Sequence, residues 1–260
     1  MSRNERRFCA LTCAGTVAEL ALRNGPLNLV TRAMLSELND ALSEIEGHPD
    51  LRCLILHGGE ARAFCAGSDM KEFAGLRANA SEDKILPEDT MLRRLDRLPM
   101  PVIAAIDGPA LGGGLELALA CDLRVVRRGV PLGLPESQIG GLAANGAVRL
   151  TRLVGPGRAR EMLFTGRTVL DDEALAWGLV NQVSDRSALE AARTLAATIS
   201  ARGPLSNRLA KKLSTVALDL PLDAALSLST TAQQEIFDSH DLHEGAAAFF
   251  AKRQPSFKGR

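Results

Sequence analysis

Between Thr31 and Gly47, apolar side chains return every three or four places, at Met34, Leu35, Leu38, Leu42 and Ile45. That spacing predicts an amphipathic helix, with Thr31 as its N-cap and Gly47 as its stop. The pattern then changes. "LRCLILHG" and "MPVIAAIDG" are short unbroken apolar runs, the signature of strands buried on both faces. Ahead of them, "RFCALTCAGTVAELAL" reads as two short strands around a turn at Ala14-Gly15. The polar, charge-mixed stretch from Ala78 to Asp89 reads as a mobile surface segment, and "MLRRLDRL" after it as a helix.

From Gly157 onward strands become rare. "GRAREMLFTG", "DDEALAWG", "SALEAARTLAATISARG", "LSNRLAKKLSTVAL", "LDAALSLSTTAQQEIFD" and "HEGAAAFFAKR" all carry helical patterns. Helix alternating with buried strand predicts an α/β core with a mainly parallel sheet over roughly the first two thirds of the chain. A helical layer closes it. There is no internal repeat and no low-complexity linker.

Composition narrows the function classes. The 260 residues carry 31 Lys plus Arg and 31 Asp plus Glu, so no single-sign field draws the chain to nucleic acid or an anionic membrane. Aromatic residues are 3% with no tyrosine, too few for a stacking platform. Five cysteines without a C-x-x-C pair argue against a disulfide framework or a zinc site and for small buried apolar groups. "MSRNERRF" has no apolar run behind its charges, and no apolar run reaches the length of a membrane span. The expectation is a cytoplasmic protein with no metal and no separate cofactor.

The candidate chemistry gathers in "GPALGGGLELALACD", Gly108 to Asp122. Strand, turn and helix in that order place Gly112, Gly113 and Gly114 at a helix start, where amides lack intrahelical partners and can meet a ligand oxygen. Tight helix–strand packing explains the same glycines equally well. A G-x-G-x-x-G fingerprint fails because its third position is Leu117. Glu116 follows in the first helical turn. It can simply complement the helix dipole. Its flanks, however, are Leu115 and the apolar run Leu117 to Cys121, which leave little polar face for a carboxylate. Glu136 in "VPLGLPESQIGG" stands after a proline that fixes the chain ahead of it, or is an ordinary loop glutamate. In "AFCAGSD", the small residues Ala66, Gly67 and Ser68 let backbone amides face a cavity, and Asp69 can cap the turn that follows. No G-x-S-x-G surrounds Ser68 or Ser137, and neither has an evident base. His240 and His243 lie beside Asp241-x-x-Glu244, which reads as a capping box at a solvated helix start rather than a metal site.

Taken together, "AFCAGSDMKEF", "PVIAAIDGPALGGGLELALACDLRV", "LGLPESQIGG", "RLTRLVG", "LFTGRTVLDDEALAWGLVNQV" and "EGAAAFFAKRQPSFKGR" resemble the enoyl-CoA hydratase/isomerase (crotonase) family over nearly the whole chain. The resemblance implies a repeated ββα catalytic core over residues 1–200 and a helical trimerisation region over 201–260. It implies an oxyanion hole from the amides of Ala66 and Gly113, and Glu116 and Glu136 as the two catalytic glutamates of the hydratase branch. It implies acyl-CoA contacts from Leu27, Gly67, Ser68, Asp69, Gly112 and Ala144. Phe257 and Lys258 are expected at the CoA of an adjacent subunit of a homotrimer or a hexamer. The implied reaction is reversible hydration of a 2-enoyl-CoA, with double-bond isomerisation or another acyl-CoA lyase reaction as the alternative. The chain departs from the family in "IGGLAANGAV", where Ala143 and Ala144 stand at the usual Pro-Gly positions, and in "RNGPLNL", where Gly25 replaces a basic residue and Arg23 stands nearby.

Overall fold

The computed structural model describes residues 6–73 and 75–260. Residues 1–5, part of the N-terminal stretch read above, lie outside the described residues. Strands β1 (Cys9–Ala14) and β2 (Val17–Leu22) form an antiparallel hairpin with Cys9 opposite Leu22. Helix α1 (Arg32–Glu46) follows, and the Thr31 hydroxyl accepts the Met34 amide at 3.2 Å. It turns Met34, Leu35, Leu38, Leu42 and Ile45 inward, each such side chain contributing about 1.5–3 kcal/mol on burial. Strand β3 (Cys53–His57) lies parallel to β2.

Helix α2 (Leu86–Asp96), strands β4 (Val102–Ile106) and β5 (Ala110–Leu111), helix α3 (Gly113–Leu119) and strand β6 (Leu123–Arg127) come next. Then follow β7 (Leu132–Gly133), α4 (Ala144–Val154), α5 (Pro156–Thr165), β8 (Thr168–Val169), α6 (Asp171–Trp177) and β9 (Gln182–Ser184). Helices α7 (Ala188–Ser200), α8 (Pro204–Val216), α9 (Leu222–Phe237) and α10 (His240–Phe250) complete the chain. The main sheet runs β1-β2-β3-β4-β6-β9, parallel from β2 onward, and β5-β7-β8 form a small second sheet. The fold is the expected α/β arrangement of ββα units closed by a C-terminal helical bundle, α7 to α10.

The unbroken apolar runs have their reason here, because both sheet faces are covered. Ala188, Ala192 and Ala196 of α7 pack on Cys53, Ile55, Ile103, Ala105 and Val125. Leu54, Leu56, Val102, Ala104 and Ile106 point the other way, into the larger core with α1 and α2. Asp107, at the end of β4, accepts the Ala188 and Leu189 amides at 2.7 and 3.0 Å and so caps α7. Lys211 of α8 reaches back to Asp122 at 2.8 Å and to the Met100 carbonyl at 3.1 Å.

The stretch from Ala78 to Asp89 lies at the surface, as expected, and has regular structure. It passes through one wide turn at Ser81–Ile85 directly into α2, with Pro87 in the first turn. Within it, Lys84 and Glu88 pair with each other and turn partly inward. Cys9, Cys53, Cys65 and Cys121 are buried, as expected of small apolar groups. Among the described residues, no helix is long and apolar enough to cross a membrane.

Candidate active site

The glycine run is delivered by β5, which pairs with β7 at Ala110–Leu132 and Leu111–Gly133. Its three glycines do different work. A side chain on Gly114 would collide with the Cys65 carbonyl, so this position serves packing of α3 against the "AFCAG" loop. Gly112 has φ of +53°, and a Cβ there would lie 2.8 Å from Glu136 Oε1. Gly113 opens α3, where its N–H has no intrahelical acceptor. The packing reading holds at Gly114, while the Gly113 N–H is left without an intrahelical acceptor.

The partner of the Gly113 amide differs from the expectation. The Ala66 N–H is donated to the Leu27 carbonyl at 2.9 Å, so it is not available to a ligand. The reason is local pairing. Residues 66–69 run beside 27–30, with Val30 N–H on the Gly67 carbonyl and Asp69 N–H on the Val30 carbonyl, each at 2.9 Å. In such pairing alternate residues turn their polar groups the other way. Ser68 is the residue that does so. A Cβ built on Gly113 would lie 3.7 Å from Ser68 N, so the two backbones adjoin. Among the described residues, no backbone oxygen accepts either N–H.

Glu116 stands one turn into α3. Its Oε1 accepts the Gly146 amide, from the first turn of α4, at 2.7 Å. Burial pushes its carboxyl up to about 7 against the lowering effect of that hydrogen bond, and the charges of Glu136 and Glu88 push the same way as burial while Lys84 opposes. Glu136 sits on a tight turn, Pro135–Ile139. Burial raises it above the ordinary carboxylate range, and its Oε2 is buried without a protein hydrogen-bond partner. A cavity lined by Val30, Leu35, Met91, Leu92 and Leu117 carries Gly113, Glu116 and Glu88 on its wall. Glu136 is not on that wall; it meets the glycine run at Gly112.

The remaining expected residues fall in several places. Leu27 gives its carbonyl to Ala66, and its side chain is exposed. Asp69 caps the turn Met70–Phe73 by accepting the Lys71 amide at 3.0 Å. Ala144 opens α4 at the surface, and the α4 amide that reaches Glu116 belongs to Gly146. Phe257 and Lys258 do not join the cavity within this chain. The Phe257 carbonyl accepts from Arg52 at 2.6 Å, and its ring lies over Gly245.

The Asp241-x-x-Glu244 motif is not a solvated capping box. Ser239 is the N-cap of α10, accepting the Leu242 amide at 3.2 Å. Asp241 is 5% exposed and takes the Lys258 and Gly259 amides, each at 2.7 Å. Glu244 holds Arg253 and the Ser256 amide. The pair is a clamp for the C-terminal tail. Among the described residues, no cluster of histidine, cysteine or carboxylate side chains could hold a metal ion.

Three residues of the site escape sequence reasoning. Gly146 carried a weak signal, a glycine in the first turn of a helix. Lys84 and Glu88 carried a better one, an i,i+4 pair of opposite charge on either side of Pro87. Ser68 Oγ donates to Glu88 at 3.2 Å and accepts from Lys84 at 3.1 Å. That arrangement makes Lys84 a donor to the serine, not the base a serine nucleophile requires.

Backbone segments at Ser68 and Gly113 that adjoin, with Glu116 and Glu136 close by, make a site that can polarise a carbonyl and move a proton next to it. Residues 12–260 match the enoyl-CoA hydratase/isomerase family, and the chain belongs to that family. It is 44% identical over 241 residues to YngF of Bacillus subtilis, which covers 89% of this chain and 90% of that one. It is 34% identical to the short-chain-enoyl-CoA hydratase of Clostridium acetobutylicum over 95% of this chain and 96% of that one. The crystal structure of an enoyl-CoA hydratase from Bacillus anthracis superposes with a TM-score of 0.93 at 35% identity, over 97% of this chain and all of the other.

Proposed function

We propose that the protein catalyses reversible addition of water to a 2-enoyl-CoA thioester, giving a 3-hydroxyacyl-CoA. The thioester oxygen is received by the N–H groups of Ser68 and Gly113, which stabilise the enolate-like charge that develops as water adds at the β-carbon. Water must lose a proton and the α-carbon must gain one. Glu116 and Glu136 are assigned these two transfers; burial raises both carboxyls, and the charge of Glu136 adds to the rise at Glu116.

The observation that carries the reading is Glu136 Oε2. A buried carboxylate oxygen without a protein partner costs about 1–3 kcal/mol unless something else bonds to it, and a reacting water is such a partner. The test is a panel of acyl-CoAs followed by loss of the conjugated thioester absorbance. Rapid loss with 2-enoyl-CoA supports hydration. Its absence, with rapid conversion of a 3-enoyl-CoA, supports the alternative.

That alternative, double-bond isomerisation, has one observation in its favour. Glu116 is on the cavity wall and Glu136 is not. One carboxylate in a dry cavity suffices to shuttle a proton between two carbons.

Assembly belongs to the same proposal. Leu222, Leu226, Leu228 and Phe237 of α9 and Phe249 and Phe250 of α10 are exposed, an apolar surface suited to other subunits. A homotrimer or a hexamer is expected in light scattering. A 27.7 kDa monomer at micromolar concentration would rule it out.

A further inference from the structure

Lys84 and Glu88 have no part in the proposed chemistry, yet they stand against it. Glu88 is on the cavity wall with Glu116 and Gly113. Its Oε1 accepts both the Ser68 hydroxyl and the Lys84 ammonium. Lys84 also donates to Ser68 Oγ and lies 4.8 Å from the Phe73 ring centroid. The knot therefore closes on Ser68, whose backbone adjoins Gly113. The two side chains are only 16% and 20% exposed, so solvent and salt screen their fields weakly.

We propose that the Lys84–Glu88 ion pair, tethered by the Ser68 hydroxyl, is a positioning element that sets the electrostatic potential at Glu116. The proposal rests on Glu116 being a working carboxylate, as argued above. The charges that face Glu116 are few. Glu136 comes from the turn after β7, and Glu88 and Lys84 come from α2 and the turn before it. From α4 it meets the Gly146 amide. Further along α2 and α4, Asp96 and Arg149 neutralise each other at 3.1 Å. The near side of the cavity, Val30 and Leu35, is uncharged.

An intact pair is close to neutral as seen from Glu116. Half a pair is a full charge in a weakly screened wall, and its sign depends on which half remains. Lys84→Met leaves the Glu88 carboxylate and should favour the protonated form of Glu116. Glu88→Gln leaves the ammonium and should favour the ionised form. A strut that merely supported the fold would not give opposite signs.

The experiment is a pH titration of the folded full-length protein, labelled with ¹³C at its glutamate carboxyls, by NMR. The Glu116 resonance is assigned by its loss in Glu116→Gln. The midpoint should rise in Lys84→Met and fall in Glu88→Gln, each by roughly half a pH unit or more. The double variant should return near the parental value, and Lys84→Arg, which keeps the charge, should stay there. The pH profile of kcat/KM should move in the same directions. Shifts of one sign in both single variants, or no shift in either, would overturn the proposal. If Lys84→Met does not fold, Glu88→Gln and Lys84→Arg still decide it, since only the first should move. The NMR readout needs no turnover. Opposite shifts together with an active Glu116→Gln would keep the electrostatic role and discard the catalytic one.

Discussion

The two glutamates stand on differently built segments. Glu116 lies within α3, behind glycines seated against the Cys65 loop, and one of its oxygens is held by the Gly146 amide. Glu136 lies on a short turn between a two-residue strand and the loop before α4, and its Oε2 has no protein partner. The first segment fixes a carboxylate; the second leaves an acceptor free. Proton exchange with a substrate carbon needs the fixed group, and capture of a water needs the free one. That difference suits the proposed hydration, in which one carboxylate exchanges a proton with carbon and the other holds the water.

The largest effect that would break this comparison is loss of either carboxylate. Glu116→Gln and Glu136→Gln should each lower hydration by roughly 10²–10⁴-fold with acyl-CoA binding retained, as read by steady-state kinetics and calorimetry. Near parental turnover in either variant would end the two-carboxylate account. Next comes Gly113→Pro, which removes one amide at a helix position that tolerates proline. A loss of about 10²–10³-fold in kcat is expected if that N–H serves the oxyanion, and a folded, fully active variant would exclude it.

Gly112→Ala sharpens the comparison, because it acts on one glutamate only. The new methyl would start 2.8 Å from Glu136 Oε1 at a position with φ of +53°. We expect at least a roughly tenfold loss of hydration, in line with displacement of a catalytic group. The Glu116 hydrogen bond to Gly146 should persist, checked by an unchanged Gly146 amide resonance.

The smallest effect is on stability. Glu116 is raised from an ordinary 4.5 to about 7 on folding, so its protonated form is the one the fold favours. Its contribution is fully present below pH 4.5 and is lost as pH rises through about 7. At pH 8 the buried charge costs up to about 3 kcal/mol, which Gln does not incur. Glu116→Gln should therefore gain stability relative to the parent between pH 5 and pH 8 in denaturant titrations. An unchanged difference across that range would show that Glu116 is not the buried carboxylate described.

Much of this was legible in the chain. Thr31 and Gly47 bracket α1 because capping is a local property, and the runs around Ile55 and Ile103 announce strands covered on both faces. Glu116 could be singled out by its apolar flanks, whereas Glu136 alone reads as an ordinary loop glutamate and took its expected role from the family resemblance. What stayed hidden depends on pairing at a distance. Whether Ala66 or Ser68 offers its amide is decided by residues 27–30, over thirty-five positions earlier. The inward turn of Lys84 and Glu88 depends on Ser68 and Phe73, and a polar stretch gives no sign of it. The clamp at Asp241 needed the last residues of the chain to fold back onto α10. Strands of two residues, such as β5 and β7, are too short for any periodicity to show.

The central claim is that the site holds a water for addition to the β-carbon. The direct measurement is turnover of a short 2-enoyl-CoA in H₂¹⁸O, with mass analysis of the product. The account predicts 3-hydroxyacyl-CoA labelled at the β-oxygen, formed faster than any product from the corresponding 3-enoyl-CoA. Rapid conversion of the 3-enoyl-CoA with no labelled product from the 2-enoyl-CoA would contradict it.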